Sequence, residues 1–73
     1  MRYSDFWHLV DDVLGPLGRT TTRDQVIDAL GDRTSEQALA DGEDPAVVWR
    51  ALCDALAVPA ALRWGREPRR RAR

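Results

Sequence analysis

The sequence contains one cysteine, Cys53, and one histidine, His8. A single cysteine cannot form an internal disulfide, and this pair cannot supply the full ligand set of a structural zinc site. A chain of 73 residues without such cross-links has only a small core. It therefore depends on regular packing of its elements or on association with a partner.

Long apolar runs are also absent. No run approaches the ~18 apolar residues that a membrane span requires, and residues 1–5 lack the apolar segment of a signal peptide. We therefore expect neither a membrane span nor a signal peptide. Together with the unpaired Cys53, this favours the cytoplasm, where thiols stay reduced.

Lysine is absent too, and all eleven basic residues are arginine. The net charge of −1 hides a division along the chain. Residues 1–62 carry five arginines against eleven acidic residues, a net charge of −6, whereas residues 63–73 carry six arginines against one glutamate, a net charge of +5. This asymmetry predicts a compact acidic helical domain over residues 1–62 and an arginine-rich tail over residues 63–73.

Start and stop signals for helices divide the acidic domain. A polar N-cap, in two places part of a Thr-x-x-Gln capping box, opens each predicted helix, and glycine or proline ends it. The predicted helices begin at the caps Ser4, Thr22, Thr34 and Asp44 and end at Gly15, Gly31, Gly42 and Pro59, with a last short turn over 59–64. No segment shows the alternation of a half-buried strand. We therefore predict an all-α fold, a small orthogonal bundle of four or five short helices.

Apolar residues at helical spacing predict which side chains form the core. In the second helix, Val26, Ile27 and Leu30 are the expected buried positions. The second and third helices are close enough in sequence to form a helix-turn-helix pair. The centre of the predicted core consists of Phe6, Leu30, Trp49 and Leu52.

Three stretches of the chain carry a family signature. They are Met1-Arg2-x-Ser4-x-Phe6-Trp7, Leu30-Gly31-x-Arg33-Thr34, and Ala38-Leu39-x-x-Gly42-x-Asp44-Pro45-x-x-Val48-Trp49-Arg50-Ala51-x-Cys53. From Met1 to about Pro59, the chain resembles a small actinobacterial family, domain of unknown function 3046. The resemblance implies a short helical protein without an established activity, encoded near the RecA recombinase and its RecX regulator. It assigns no role to any residue and does not extend to the tail.

The tryptophans are candidates for packing or for partner contact. Trp7 and Trp49 fall beside apolar helical stripes, which favours packing because an indole buries a large area. Trp64 lies among charged residues and fits either a plug at the end of the core or an exposed contact. Because tryptophan and arginine concentrate binding energy at interfaces, the candidate partner contacts are Trp7, Trp49, Arg50 and Trp64.

The tail could neutralise phosphates of a nucleic acid, since arginine-rich arms do so without sequence preference. The candidate nucleic-acid contacts are Arg63, Arg66, Arg69, Arg70, Arg71 and Arg73. Repulsion by the acidic domain would make such binding weak and sensitive to salt. The competing interpretation is a solubilising tail, or one that folds back onto the acidic domain.

No constellation for catalysis, a metal or a cofactor is visible in the sequence. Asp11 and Asp12 are adjacent on a helix and cannot face each other, and the run Asp41-Gly42-Glu43-Asp44 is explained by helix caps. Cys53 lies on an apolar stripe, and a catalytic thiol would need a base such as His8, far away in sequence. We expect these carboxylates to be solvated and Cys53 to pack as a small apolar residue.

These features predict a helical protein-interaction module, adaptor or regulatory, without catalytic activity or a cofactor. Its link to DNA recombination or repair is only what the resemblance implies. The alternative is a nucleic-acid-binding accessory protein that acts through the arginine-rich tail.

Overall fold

The computed structural model describes residues 1–64, which are mostly helical. The α-helices are α1 (Tyr3–Leu9), α2 (Gly18–Asp24), α3 (Ser35–Ala40) and α4 (Pro45–Ala55). A π-helical turn (Val10–Leu14) and a 3₁₀ turn (Gly15–Leu17) join α1 to α2, and further 3₁₀ turns span Asp28–Leu30 and Ala60–Leu62. Two short strands, β1 (Val26–Ile27) and β2 (Arg33–Thr34), form an antiparallel sheet. The all-α prediction is therefore corrected to a mostly helical fold with one small sheet.

The first helix begins slightly earlier than the sequence predicted. Arg2 is its N-cap instead of Ser4, because the Asp5 carboxylate accepts a hydrogen bond from the Arg2 backbone N–H at 3.1 Å. That bond satisfies one of the unpaired donors at the helix start. The π-helical turn then ends at Leu14, and the φ of 75° at the next residue, Gly15, confirms the predicted stop.

The second helix is displaced towards the N-terminus. It spans Gly18–Asp24, so Thr22 lies inside it and is not its N-cap. The Thr22 hydroxyl is buried and donates to the Arg19 carbonyl oxygen at 2.7 Å. The helix begins early because its first residue, Gly18, lies very close to Val10 in the π-helical turn. A Cβ there would lie 2.8 Å from both the carbonyl oxygen and the Cγ1 of Val10, so the bare backbone lets α2 pack against the π-helical turn.

The strands Val26–Ile27 and Arg33–Thr34, with a 3₁₀ turn between them, stand where the sequence predicted the end of the second helix at Gly31 and the connection to the third. Val26 pairs with Thr34, and Ile27 pairs with Arg33. Neighbouring side chains of a strand point to opposite faces, so Ile27 is buried whereas Val26 is exposed, contrary to its predicted burial. Since this sheet separates α2 from the six-residue α3, the predicted helix-turn-helix pair is wrong.

The third and fourth helices begin where the sequence placed them. Thr34 accepts a hydrogen bond from the Gln37 backbone N–H, and the Gln37 side chain accepts one from the Thr34 N–H, which confirms that capping box. Asp44 caps α4 by accepting from the Ala46 N–H at 2.9 Å, with Pro45 in the first turn. Both predicted helix starts are confirmed.

One apolar core joins α1, the sheet region, α3 and α4. The rings of Phe6 and Trp49 meet edge to face with centroids 5.9 Å apart, an arrangement favoured by aromatic quadrupoles. The buried apolar residues are Phe6, Val10, Ile27, Leu30, Ala38, Leu39, Val48, Trp49, Ala51, Leu52 and Cys53. The predicted centre of the core is confirmed. Among the helices of residues 1–64, none is both long and apolar enough to cross a membrane.

Candidate functional site

Trp49 lies at the centre of the core. Only 1% of it is exposed, so its ring offers no surface to a partner. Its indole N–H donates to the backbone carbonyl oxygen of Arg63 at 3.0 Å, which satisfies the one polar group of the side chain. The packing interpretation of Trp49 is confirmed, and its assignment as a partner contact is wrong.

Trp7 lies half-buried at the edge of the core and is covered on its outer side. Its ring meets Phe6 edge to face at a centroid distance of 5.1 Å. The guanidinium carbon of Arg19 lies 4.9 Å from the ring centroid, a cation–π contact. Arg19 also forms two hydrogen bonds with Asp11, at 2.9 and 3.0 Å, and this pairing lowers the pKa of the Asp11 carboxyl. Trp7 is therefore largely engaged within the chain.

Arg63 belongs to the folded body and not to a free tail. Its Nε–H donates to the Val58 carbonyl oxygen at 2.8 Å, and its Nη1 donates to the Asp54 carboxylate at 2.7 Å. With its own carbonyl engaged by Trp49, Arg63 fastens the C-terminal segment to α4. Arg63 therefore has a structural role within the chain, and its contact with nucleic acid stays a prediction. The other candidate contacts, Arg66, Arg69, Arg70, Arg71 and Arg73, lie outside the described residues.

Trp64 is the tryptophan that faces solvent. Its side chain is 66% exposed, although the backbone of its neighbour Arg63 is held by the Trp49 indole. An anchored backbone thus presents a large aromatic side chain at the surface. Arg50, also predicted to contact a partner, is exposed on α4.

Two open cavities lie along one stripe of the first helical segment. The Trp64 cavity, of about 530 Å³, is bounded on that stripe by Asp5, His8 and Leu9. The Leu62 cavity, of about 390 Å³, is bounded on it by Asp12 and Val13. These positions repeat at intervals of three and four residues, which places them on one helix face. We call the two cavities together the C-terminal groove.

The other residues that bound the C-terminal groove come mainly from residues 56–64, with Met1 and Ala46 added at the Trp64 cavity. Leu62 is 57% exposed and bounds one cavity, whereas Trp64, Met1 and Ala46 bound the other. The remaining residues of this set are Leu56, Ala57, Val58 and Pro59. Both cavities are lined mainly by apolar side chains, with carboxylates and His8 at their edges.

Two backbone irregularities lie in the walls of this groove. One is the π-helical turn Val10–Leu14, and such turns are frequent at functional sites. The other is Ala57, which has a φ of 56°, a left-handed conformation that normally requires glycine. It follows α4 at the position where Val58 N–H bonds back to the Cys53 carbonyl oxygen at 2.9 Å. Together with the Ala57 N–H, which donates to the Asp54 carbonyl oxygen at 3.2 Å, this bond forms a common C-terminal cap of a helix, so the end of α4 explains the left-handed Ala57.

Sequence reasoning missed the role of Arg33. Its guanidinium binds Asp41 at 2.9 Å and Glu43 at 2.7 Å, and its Nε–H donates to the Leu30 carbonyl oxygen at 2.7 Å. The hydrogen bonds that the guanidinium donates to both carboxylates raise its pKa, the bond to Glu43 most. Arg33 therefore joins β2 to the connection between α3 and α4, which includes two carboxylates that the sequence left to solvent.

Cys53 is enclosed in the core. Burial raises the pKa of its thiol to about 11, so the thiol stays protonated and is a poor nucleophile at neutral pH. His8 lies instead on the groove. Within residues 1–64, no three His, Cys, Asp or Glu side chains are grouped so that they could hold a metal ion.

The chain was compared with known proteins and structures. Neither the curated proteins nor the solved structures contain a significant match. A family model does match residues 1–61, and its description is protein of unknown function (DUF3046). The matched region includes the helical wall of the C-terminal groove and ends three residues before Trp64. Because the match spans most of the chain, the protein belongs to the DUF3046 family.

Proposed function

We propose that this chain is a non-catalytic, helical protein-interaction module, adaptor or regulatory, and that the C-terminal groove is its contact surface. The observation that supports this most directly is Trp64, which is 66% exposed beside an apolar cavity. Trp64 follows a residue whose backbone and side chain are both anchored.

The placement of the three tryptophans favours this function. Trp49 is enclosed and Trp7 is covered by Arg19, so the structural need for large aromatic side chains is met by those two. Trp64 adds little to the core and leaves an apolar surface in water. Tryptophan is enriched among the residues that dominate binding energy, and an anchored backbone lowers the entropy lost on binding.

The described titratable groups offer little support for catalysis. Asp11, Asp41 and Glu43 are engaged by arginines, and the Cys53 thiol is buried with a raised pKa. We place the module in the cytoplasm because it carries an unpaired thiol. The implied gene neighbourhood makes DNA recombination or repair the first process in which to seek a partner.

The proposal is tested by photo-crosslinking in the native cell with the full chain. A photoreactive phenylalanine analogue replaces Trp64 in one version and Glu36, exposed on α3 and outside the groove, in a matched control. We expect one discrete protein adduct from position 64 that position 36 does not give. Absence of an adduct at 64, or the same adducts from both positions, would refute the interaction surface.

A further inference from the structure

We propose that residues 59–64 form a latch, fastened by Arg63, which opens while the rest of the fold stays intact and thereby dismantles the C-terminal groove. We call this segment the C-terminal latch. The inference rests on the proposed function, because it concerns the regulation of the same contact surface.

Arg63 holds the C-terminal latch against α4. The indole N–H of Trp49 donates to the Arg63 carbonyl oxygen at 3.0 Å. The Arg63 guanidinium donates to the Val58 carbonyl oxygen at 2.8 Å and to the Asp54 carboxylate at 2.7 Å. Within residues 1–64, the other backbone hydrogen bonds of the latch run between its own residues. In this part of the chain, the hydrogen bonds that fasten the latch therefore all involve one residue.

The C-terminal latch buries little apolar surface. Leu62 and Trp64 are exposed, as are residues 59–61, and Arg63 is half-buried. By contrast, α4 buries five residues in the core. Segments with few buried apolar contacts open at a lower free energy than the core does. Water replaces the broken hydrogen-bond partners when the latch opens, so the net cost of each bond is modest. We therefore expect the latch to open without unfolding of the core.

The junction between Val58 and Pro59 provides a hinge. The Val58 N–H donates to the Cys53 carbonyl oxygen at 2.9 Å, and the Val58 side chain packs against the core, so this residue stays with α4. Pro59 has no N–H with which to bond back to the helix. Hinges are formed by a few residues at the ends of elements, where the backbone angles absorb the movement. The latch can therefore turn about this junction without disturbing α4.

Opening of the C-terminal latch takes residues away from both cavities of the groove. Pro59 and Leu62 bound the Leu62 cavity, and Trp64 bounds the Trp64 cavity. Leu9 and Val13, on the first helical segment, do not belong to the latch and stay with the core, against which they pack. A partner that contacts the complete groove therefore binds the closed latch and not the open one. Binding and closure favour each other as a consequence.

Hydrogen exchange of the full ¹⁵N-labelled chain, followed by nuclear magnetic resonance, tests the latch. The indole N–H of Trp49 exchanges when the latch opens, whereas the amide of Leu52, buried in α4, exchanges when the fold opens. We expect the protection factor of the indole to be lower by about tenfold or more. It should also change little in dilute urea, because opening of the latch exposes little surface. Equal protection factors with equal urea dependence would overturn the proposal, since the latch would then open only with the core.

Arg63→Gln tests the fastening. It removes both side-chain bonds of the latch and should accelerate exchange of the Trp49 indole by about tenfold. The matched control is Arg23→Gln, which removes an exposed contact with Asp24 on α2 and should leave indole exchange unchanged. If the indole exchanges equally fast in Arg63→Gln and in the unaltered chain, Arg63 does not fasten the latch.

Ile27→Val separates opening of the latch from unfolding of the core. Ile27 is buried among core residues outside the latch, so its shortening destabilises the fold whether the latch is open or closed. We therefore expect severalfold faster exchange of the Leu52 amide and unchanged exchange of the Trp49 indole. Equal acceleration of both would show one cooperative unit and would overturn the latch.

The protein captured by crosslinking at position 64 tests the connection between the latch and the groove. Added at about ten times its Kd, it should slow exchange of the Trp49 indole about tenfold, because it binds only the closed latch. Unchanged indole exchange at that concentration would overturn regulation of the groove by the latch. If position 64 gives no adduct while the indole still exchanges locally, the proposed function fails and the latch stands.

Discussion

The indole N–H of Trp49 donates a hydrogen bond to the carbonyl oxygen of Arg63, 3.0 Å away. This bond joins the centre of the core to Arg63, fourteen residues further along the chain and directly before Trp64. Arg63 adds a second attachment through Asp54 and Val58. One tryptophan, fully buried, thus fixes the position of another that is exposed, and the wall of the C-terminal groove depends on this connection.

Replacing Trp49 by Phe tests that connection. Trp49→Phe retains an aromatic ring but leaves the Arg63 carbonyl oxygen without its donor, so we expect a loss of about 1–3 kcal/mol in the free energy of unfolding. Urea denaturation of the full chain measures it. Trp7→Phe makes the same chemical change at a half-buried position and serves as the control. A smaller loss for Trp49→Phe than for Trp7→Phe would contradict the anchoring role.

Gly18→Ala tests the close approach between α2 and the π-helical turn. With φ −60° and ψ −44° at Gly18, alanine fits the backbone, and its helix propensity alone would favour it by about 1 kcal/mol. Its Cβ would nevertheless meet the Val10 carbonyl oxygen at 2.8 Å. We therefore expect a net loss of about 1–3 kcal/mol in stability. Thr20→Ala, at an exposed position of the same helix, should be nearly neutral, and a stabilised Gly18→Ala chain would disprove the contact.

Ala57→Gly should have the opposite effect. The left-handed φ of 56° at Ala57 costs an L-residue roughly 1–2 kcal/mol, and glycine avoids that cost. Part of the gain is offset because glycine makes the unfolded chain more flexible, so we expect a net stabilisation of about 0.5–1 kcal/mol. The thermal unfolding midpoint measures it, with Ala60→Gly as a control at a position without a positive φ. A lower midpoint for Ala57→Gly would show that this backbone is not strained.

The stability of the fold should fall in alkali because of Cys53. Its thiol ordinarily loses its proton near pH 9.0 but in the fold has a pKa of about 11. Between these values the folded chain binds more protons than the unfolded chain, so the free energy of unfolding decreases as pH rises through this window. Cys53→Ala removes the titrating thiol and should be less sensitive over the same range in denaturant titrations. Equal pH dependence of both chains would mean that the thiol is not buried.

The sequence predicted local features of this fold better than features that depend on distant contacts. Thr34 with Gln37 and Thr22 with Gln25 are the same capping signal, yet only the first opens a helix. The difference lies in Gly18. Its contact with Val10 starts α2 at residue 18, so the helix has already begun before the chain reaches Thr22 and Gln25. Helix propensity and sequence pattern are weak predictors of structure where packing between elements distant in sequence decides where a helix begins.

The candidate site was less predictable than the core. Phe6, Leu30, Trp49 and Leu52 follow from helical spacing and are all buried. The groove instead forms where the first helical segment meets residues 56–64, and no local pattern encodes that meeting. Arg63 shows the same effect. Its sequence context suggests a tail, whereas its contacts with Asp54 and Val58 place it in the folded body.

Removing the exposed indole of Trp64 tests the central claim, that the C-terminal groove is a contact surface for a partner. The measurement compares Trp64→Ala with the unaltered chain in two respects: the free energy of unfolding, and the affinity for the protein captured by crosslinking. We predict a change in stability within about 0.5 kcal/mol, as for other exposed side chains, and a loss of affinity of about tenfold or more, ~1.4 kcal/mol. Unchanged affinity together with a stability loss of several kcal/mol would show that Trp64 closes the core and that the C-terminal groove is not a contact surface.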